Sequence, residues 1–183
     1  MRLFVALDLP DPLRARLAAM ATAIPGARWV PVENHHLTLR FIGEVAPDQA
    51  EEIDHALAAL RGRAFPLTLA GVGTFRKGGR DTRLWVGAAR SEPLERLQAK
   101  IETALQRAGL PAERRRFQPH VTLARLNAAS EAKLAGFVQA HNLFRAEPMV
   151  VEHFILFSSR LGKAQAVHTA EVDYPLQPAV AVA

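Results

Sequence analysis

The tetrapeptide His36-Leu37-Thr38-Leu39 returns as His120-Val121-Thr122-Leu123, 84 residues further along a chain of 183. In a β-strand successive side chains point to opposite faces. Each copy therefore sets an imidazole beside a hydroxyl on one face and two aliphatic anchors on the other. A chain with two such strands at matching points of its two halves must bury both aliphatic faces. Two related lobes, with the polar faces opposed across a cleft, would meet that demand.

The surrounding pattern supplies the lobes. Residues 2–8 form a short apolar run and read as a buried strand. Asp11 and Pro12 read as an N-cap and first helical residue, with Pro25-Gly26 ending the helix. A short strand over 28–32 and the first motif strand over 36–42 follow, then a helix from Pro47 to about Gly62. Residues 65–72 and 83–89 read as strands of a hairpin whose long tip carries Arg76-Lys77-Gly78-Gly79-Arg80. Ser91 caps a helix whose Leu94, Leu97, Ile101, Ala104, Leu105 and Ala108 fall at spacings of three and four, and Gly109 closes it. The second motif strand spans 120–126, Ser130 starts a helix carrying Leu134, Phe137 and Val138, and strands over 148–158 and 164–172 complete the chain. Helices mixed with hairpins indicate an α+β fold with largely antiparallel sheets. With no linker or low-complexity segment, residues 1–183 are expected to fold as a single bilobal domain.

Two imidazoles facing each other can divide the work of a proton donor and a proton acceptor, and neutral hydroxyl donors beside them suit a phosphate group. In one cleft two imidazolium ions repel, which separates their titrations and favours one neutral and one charged ring.

On these residues the chain resembles the 2H phosphoesterases, and within them the bacterial RNA 2′,3′-cyclic phosphodiesterases, also called 2′-5′ RNA ligases. The resemblance runs through Arg2–Asp8, the first motif within Asn34–Gly43, the second within Phe117–Arg125, and the strand Phe154–Ser159. It implies two pseudo-symmetric lobes, two largely antiparallel sheets lining a central cleft, and helices outside. It also implies that His36 donates a proton to the leaving ribose oxygen, that His120 is the acceptor, and that Thr38 and Thr122 bind the phosphate. The implied substrate is RNA ending in a 2′,3′-cyclic phosphate, opened to a 2′-phosphate, with reversible 2′-5′ joining as a side activity. Two other readings stay open: a phosphodiesterase for a small cyclic nucleotide such as ADP-ribose 1″,2″-cyclic phosphate, and a non-catalytic module that binds RNA ends.

Four further residues are candidate substrate contacts. Arg40 shares strand parity with His36 and Thr38, which aims it at the cleft or leaves it a solvated strand-end cation. Arg125 matches an arginine that often follows the second motif in the family, yet its parity points away from His120 unless the strand bulges. Phe41 and Phe4 are candidates for stacking on a base, with core packing the commoner role for such residues. His35 falls on the face opposite His36, and His55, His141, His153 and His168 are read as structural.

No metal-ligand spacing surrounds the motifs, and the glycine pairs lack a phosphate-loop signature, so neither metal nor cofactor is expected. The absence of cysteine excludes disulfide and thiolate chemistry. A net charge of +5, with Arg76-Lys77-Gly78-Gly79-Arg80 and Arg114-Arg115-Arg116 as clusters, favours a polyanionic partner. No apolar run approaches the ~18 residues that span a bilayer. A cytoplasmic monomer without a membrane partner is the expectation.

Overall fold

The computed structural model describes residues 1–181. Two successive runs of elements share one order. The first is β1 (Arg2–Asp8), α1 (Asp11–Ala18), β3 (His36–Glu44), α2 (Pro47–Ala58), β4 (Phe65–Leu67) and β5 (Leu69–Lys77). The second is β6 (Arg80–Ala88), α3 (Glu92–Arg107), β7 (His120–Leu126), α4 (Glu131–His141), β8 (Met149–Val151) and β9 (His153–Leu161). Two strands stand outside this repeat, β2 (Ala27–Trp29) and β10 (Ala166–Pro175).

The strands lie in the order β10-β9-β1-β3-β7-β6-β5, with β2 on the free part of the β7 edge. β3 and β7 meet only through the pair Leu37–Val121, so the array is two antiparallel four-stranded sheets joined at the two motif strands. Each sheet contains the last strand of the other repeat: β9 pairs with β1, and β5 pairs with β6. The lobes are thus not the two halves of the chain. Helices α2 and α3 pack together, with α3 against β3, while α4 lies against β5. The α3 stripe is core as expected, with Leu94, Leu97, Ile101 and Leu105 buried, each contributing about 1.5–3 kcal/mol. No helix is long and apolar enough to cross a membrane.

Several sequence boundaries move. Asp11 is the first helical residue rather than the cap, because Pro10 takes the cap position, and α1 ends at Ala18, well before Pro25. The expected strand 65–72 breaks at Thr68 and the expected strand 148–158 breaks at Glu152, so that β4 and β8 pair as a separate two-stranded sheet. The hairpin tip is tight, not long. Gly78 and Gly79 both take positive φ, 60° and 76°, the two-residue turn that matches strand twist, and Arg76, Lys77 and Arg80 lie on strand ends. Ser91 and Ser130 cap their helices by accepting from the Leu94 and Lys133 amides, and Gly109 takes φ 90°.

Candidate active site

The two motif strands place His36, Thr38, His120 and Thr122 on one face, because Leu37 and Val121, directly paired and fully buried, take the other. Each histidine is held in the same way. Nδ1 of His36 lies 2.7 Å from the carbonyl oxygen of Asn34, and Nδ1 of His120 lies 2.6 Å from that of Gln118. A carbonyl oxygen only accepts, so Nδ1 carries the proton and Nε2 of each neutral ring keeps its lone pair. Burial drives His36 down from its usual 6.5 to about 4, the nearby His168 ring adds to this, and the Asn34 carbonyl opposes it. His120 is also lowered, by burial first, with the Gln118 carbonyl opposing and the charge of Arg83 adding. Both shifts favour the neutral ring in the free protein. A bound anion would raise both pKa values.

Register shifts decide where the four secondary candidates point. Against β1, Thr38 pairs with Ala6 and Arg40 with Val5, so Leu39 is an extra residue in β3. Against β6, Thr122 pairs with Trp85 and Ala124 with Leu84, so Leu123 is the extra residue in β7. The bulge falls at the same place in both copies and reverses strand parity beyond it. Arg40 is consequently not a cleft residue, contrary to its parity. It is buried on the helix side, where its Nε donates to Glu102 Oε2 at 2.5 Å and its other nitrogens to the carbonyls of Phe41 and Pro111. Burial pushes the Glu102 carboxyl up, but hydrogen bonds from Arg40, the Glu113 amide and Gln106 outweigh it, and the net shift is downward.

Arg125 and Phe41, at equivalent positions after the two bulges, come round to the cleft face. Arg125 pairs across the sheet with Arg83 and is exposed; its charge helps lower His168, after burial. Phe41 is 47% exposed, with its ring 6.0 Å from that of Phe4. Phe4 itself is buried, stacked on Phe157 at 5.2 Å and 4.9 Å from the His36 ring, so it forms the floor beneath the histidine.

Three residues given no functional role by the sequence, His168, Trp85 and Phe75, flank the motif histidines. His168 of β10 stands edge-on to His36, ring centroids 5.3 Å apart, and its Nδ1 is buried without a partner. Asn34 ties this strand to the motif, since its side-chain amide donates to Ala166 O while its own carbonyl holds His36. Trp85 lies 6.4 Å from His120, its Nε1 likewise buried and unpartnered. A Cβ at Gly73 would come within 2.6 Å of that indole, so the glycine lets Trp85 lie across β5. Phe75 closes the same side, edge-on to His120 at 4.7 Å. His168 and Trp85 are far in sequence from the motifs, and strand parity alone did not single them out. His35, as its parity requires, is buried on the opposite face. Among the described residues no group of three or more His, Asp or Glu side chains is placed to hold a metal ion.

Of the clusters expected to guide an anion, Arg115 is paired with Glu113 at 3.1 Å, leaving Arg114 and Arg116 exposed beside it. Arg76 bonds the Gly79 carbonyl at 2.7 Å.

Residues 9–163 match the profile of the 2′-5′ RNA ligase superfamily. An RNA 2′,3′-cyclic phosphodiesterase of Aeropyrum pernix is 39% identical over 63% of this chain and 66% of its own length. The Escherichia coli protein of the same name is 35% identical over 72% of this chain and 74% of its own. The crystal structure of E. coli LigT complexed with 3′-AMP superposes with a TM-score of 0.79 at 27% identity, covering 96% of this chain and 97% of that one.

Proposed function

The chain belongs to the 2′-5′ RNA ligase superfamily, and on that basis we propose that it opens the 2′,3′-cyclic phosphate at RNA ends without a metal ion, leaving a 2′-phosphate. It is a phosphodiesterase for RNA 2′,3′-cyclic phosphate ends, and both lobes of its single 1–183 domain contribute to the reaction. The observation that carries this reading is the matched pair of imidazoles, each fixed through Nδ1 with Nε2 free, on one face of two abutting strands.

His120 takes a proton from water as its oxygen attacks phosphorus. The bond from phosphorus to the ribose 3′-oxygen breaks, and His36 gives that oxygen its proton, so the product carries a 2′-phosphate and a 3′-hydroxyl. Thr38 and Thr122 donate to the non-bridging oxygens as their charge redistributes. When an RNA 5′-hydroxyl replaces water, the same steps form a 2′-5′ linkage and need no nucleotide triphosphate.

The depression of His36 favours a second assignment in which the roles are exchanged, since a ring held near pKa 4 is neutral until the anionic substrate arrives. An aryl phosphodiester separates the two, because its leaving group needs no added proton. The variant lacking the acid keeps activity on it, and the variant lacking the base does not.

The reading is tested by incubating the protein with an oligoribonucleotide ending in a 2′,3′-cyclic phosphate in the presence of EDTA and identifying the product. A 2′-phosphate is expected. No product, a 3′-phosphate, or activity only after adding a divalent metal would overturn it.

A further inference from the structure

Arg28, Arg125 and Arg83 lie side by side on β2, β7 and β6. The register pairs Arg28 with Arg125 and Arg125 with Arg83, so all three project from the same face, and all three are exposed. Directly opposed residues of antiparallel strands sit ~4.5–5.5 Å apart at Cα, and like charges in such positions destabilise a sheet. Four arginines have a carboxylate partner, Arg40 with Glu102, Arg76 with Asp81, Arg96 with Glu92 and Arg115 with Glu113, and what sets this row apart from the other arginines is its direct cross-strand register. Among the described residues no carboxylate forms an ion pair with Arg28, Arg83 or Arg125. The free protein therefore holds an uncompensated cationic row, an arrangement that an anionic ligand would relieve.

The row continues the catalytic face. Thr122 and Arg125 are three residues apart on β7, a span of ~10 Å at the rise of a strand, and Trp85, opposite Thr122, lies two residues beyond Arg83 on β6 and on the same face. The equivalent places in the other lobe are apolar. The position matching Arg125 is Phe41, and Phe4 pairs with Phe41 as Arg83 pairs with Arg125. The cleft is thus polarised, with stacking rings beyond His36 and guanidinium groups beyond His120. Planar guanidinium forks match phosphate oxygens in pairs.

We propose that Arg28, Arg125 and Arg83 form a second phosphate subsite that binds the phosphodiester next to the reacting cyclic end, and so select RNA chains over cyclic mononucleotides. The proposal rests on the phosphodiesterase reading above and adds the feature of the substrate that this site distinguishes.

The test compares a 2′,3′-cyclic mononucleotide with a dinucleotide ending in the same cyclic phosphate, which adds one phosphodiester. In Arg28→Gln, KM for the dinucleotide should rise roughly tenfold or more, and KM for the mononucleotide should change less than about twofold. The slope of log affinity against log salt for the dinucleotide should fall by about one. The free variant should melt at a higher temperature than wild type, because a repulsive neighbour has gone, and Arg28→Lys should restore part of the dinucleotide affinity. Equal KM changes on both substrates, or none on the dinucleotide, would overturn the subsite. A lower melting temperature would remove the repulsion on which it is argued. If the wild-type protein turns over neither substrate, the phosphodiesterase reading fails instead. Binding of a dinucleotide ending in a 2′-phosphate then still tests the row, since its affinity falls in Arg28→Gln only if the subsite exists.

Discussion

Leu37 of β3 and Val121 of β7 are paired and fully buried, and through them alone the two lobes' sheets are joined. The antiparallel sense of this pair puts His36 on the Thr122 side and Thr38 on the His120 side. Each imidazole thus neighbours the hydroxyl of the opposite strand. A pseudo-twofold axis runs through the pair, which is why both rings are held by a carbonyl two residues upstream and both strands bulge at the leucine after threonine. The seam is a single residue pair whose two aliphatic side chains lie in the core.

In the proposed mechanism the two imidazoles transfer different protons in one step, so His36→Ala and His120→Ala should each lower turnover of a cyclic phosphate end by about 10²–10⁴. The double variant should lose far less than the product of the two, as groups acting together do. Circular dichroism should show the fold retained. Near-wild-type turnover in either single variant would rule out the two-histidine mechanism.

Stability should fall in mild acid. Burial is the first cause of a lowered pKa at His35, His36, His120 and His168. In the unfolded chain these rings take up protons near 6.5, whereas folded His36 does so only near 4. Above 6.5 neither state is penalised. As pH falls through that window the unfolded state gains protons that the native state refuses, so the native state is disfavoured progressively until about pH 4. His36 alone accounts for a loss on the order of 3 kcal/mol. Urea unfolding at pH 7.5 and 4.5 reads this, and His36→Gln should flatten the difference; equal midpoints at the two pH values would contradict it.

Arg40 should matter for folding and not for chemistry. Its guanidinium joins β3 to Glu102 of α3 and to the Pro111 carbonyl, so Arg40→Met leaves a half-buried carboxylate and a carbonyl without their donor. A destabilisation of roughly 2–4 kcal/mol is expected, with kcat/KM at low temperature close to wild type. A large fall in kcat in a fully folded variant would return Arg40 to the cleft.

The hairpin tip should serve affinity for long RNA. Replacing Arg76, Lys77 and Arg80 together by glutamine should raise KM for an oligonucleotide and lessen its salt dependence. Hydrolysis of a cyclic mononucleotide should stay the same, since it has no distant phosphates to hold. An equal loss on both would place the tip at the reacting centre, and no effect on either would leave it a solvated turn.

Much of this molecule is determined locally. Alternation within each tetrapeptide sets the imidazole and hydroxyl on one face; serine caps mark the starts of α3 and α4, and a helical stripe and Gly109 mark the course and end of α3, from neighbouring residues alone. The repetition itself indicates two lobes. What tertiary structure decides is whatever depends on the strand next door. A bulge is an extra residue counted against a partner, so nothing within Leu39-Arg40-Phe41 or Leu123-Ala124-Arg125 says that Arg40 turns inward while Phe41 and Arg125 turn out. The pairing of β9 with β1, and the arrival of Trp85 and His168 beside the motif histidines, likewise follow from pairings between residues tens of positions apart. Strand pairing is a contact energy between distant segments, and a period-two pattern carries the face of a residue but not the register of its neighbour.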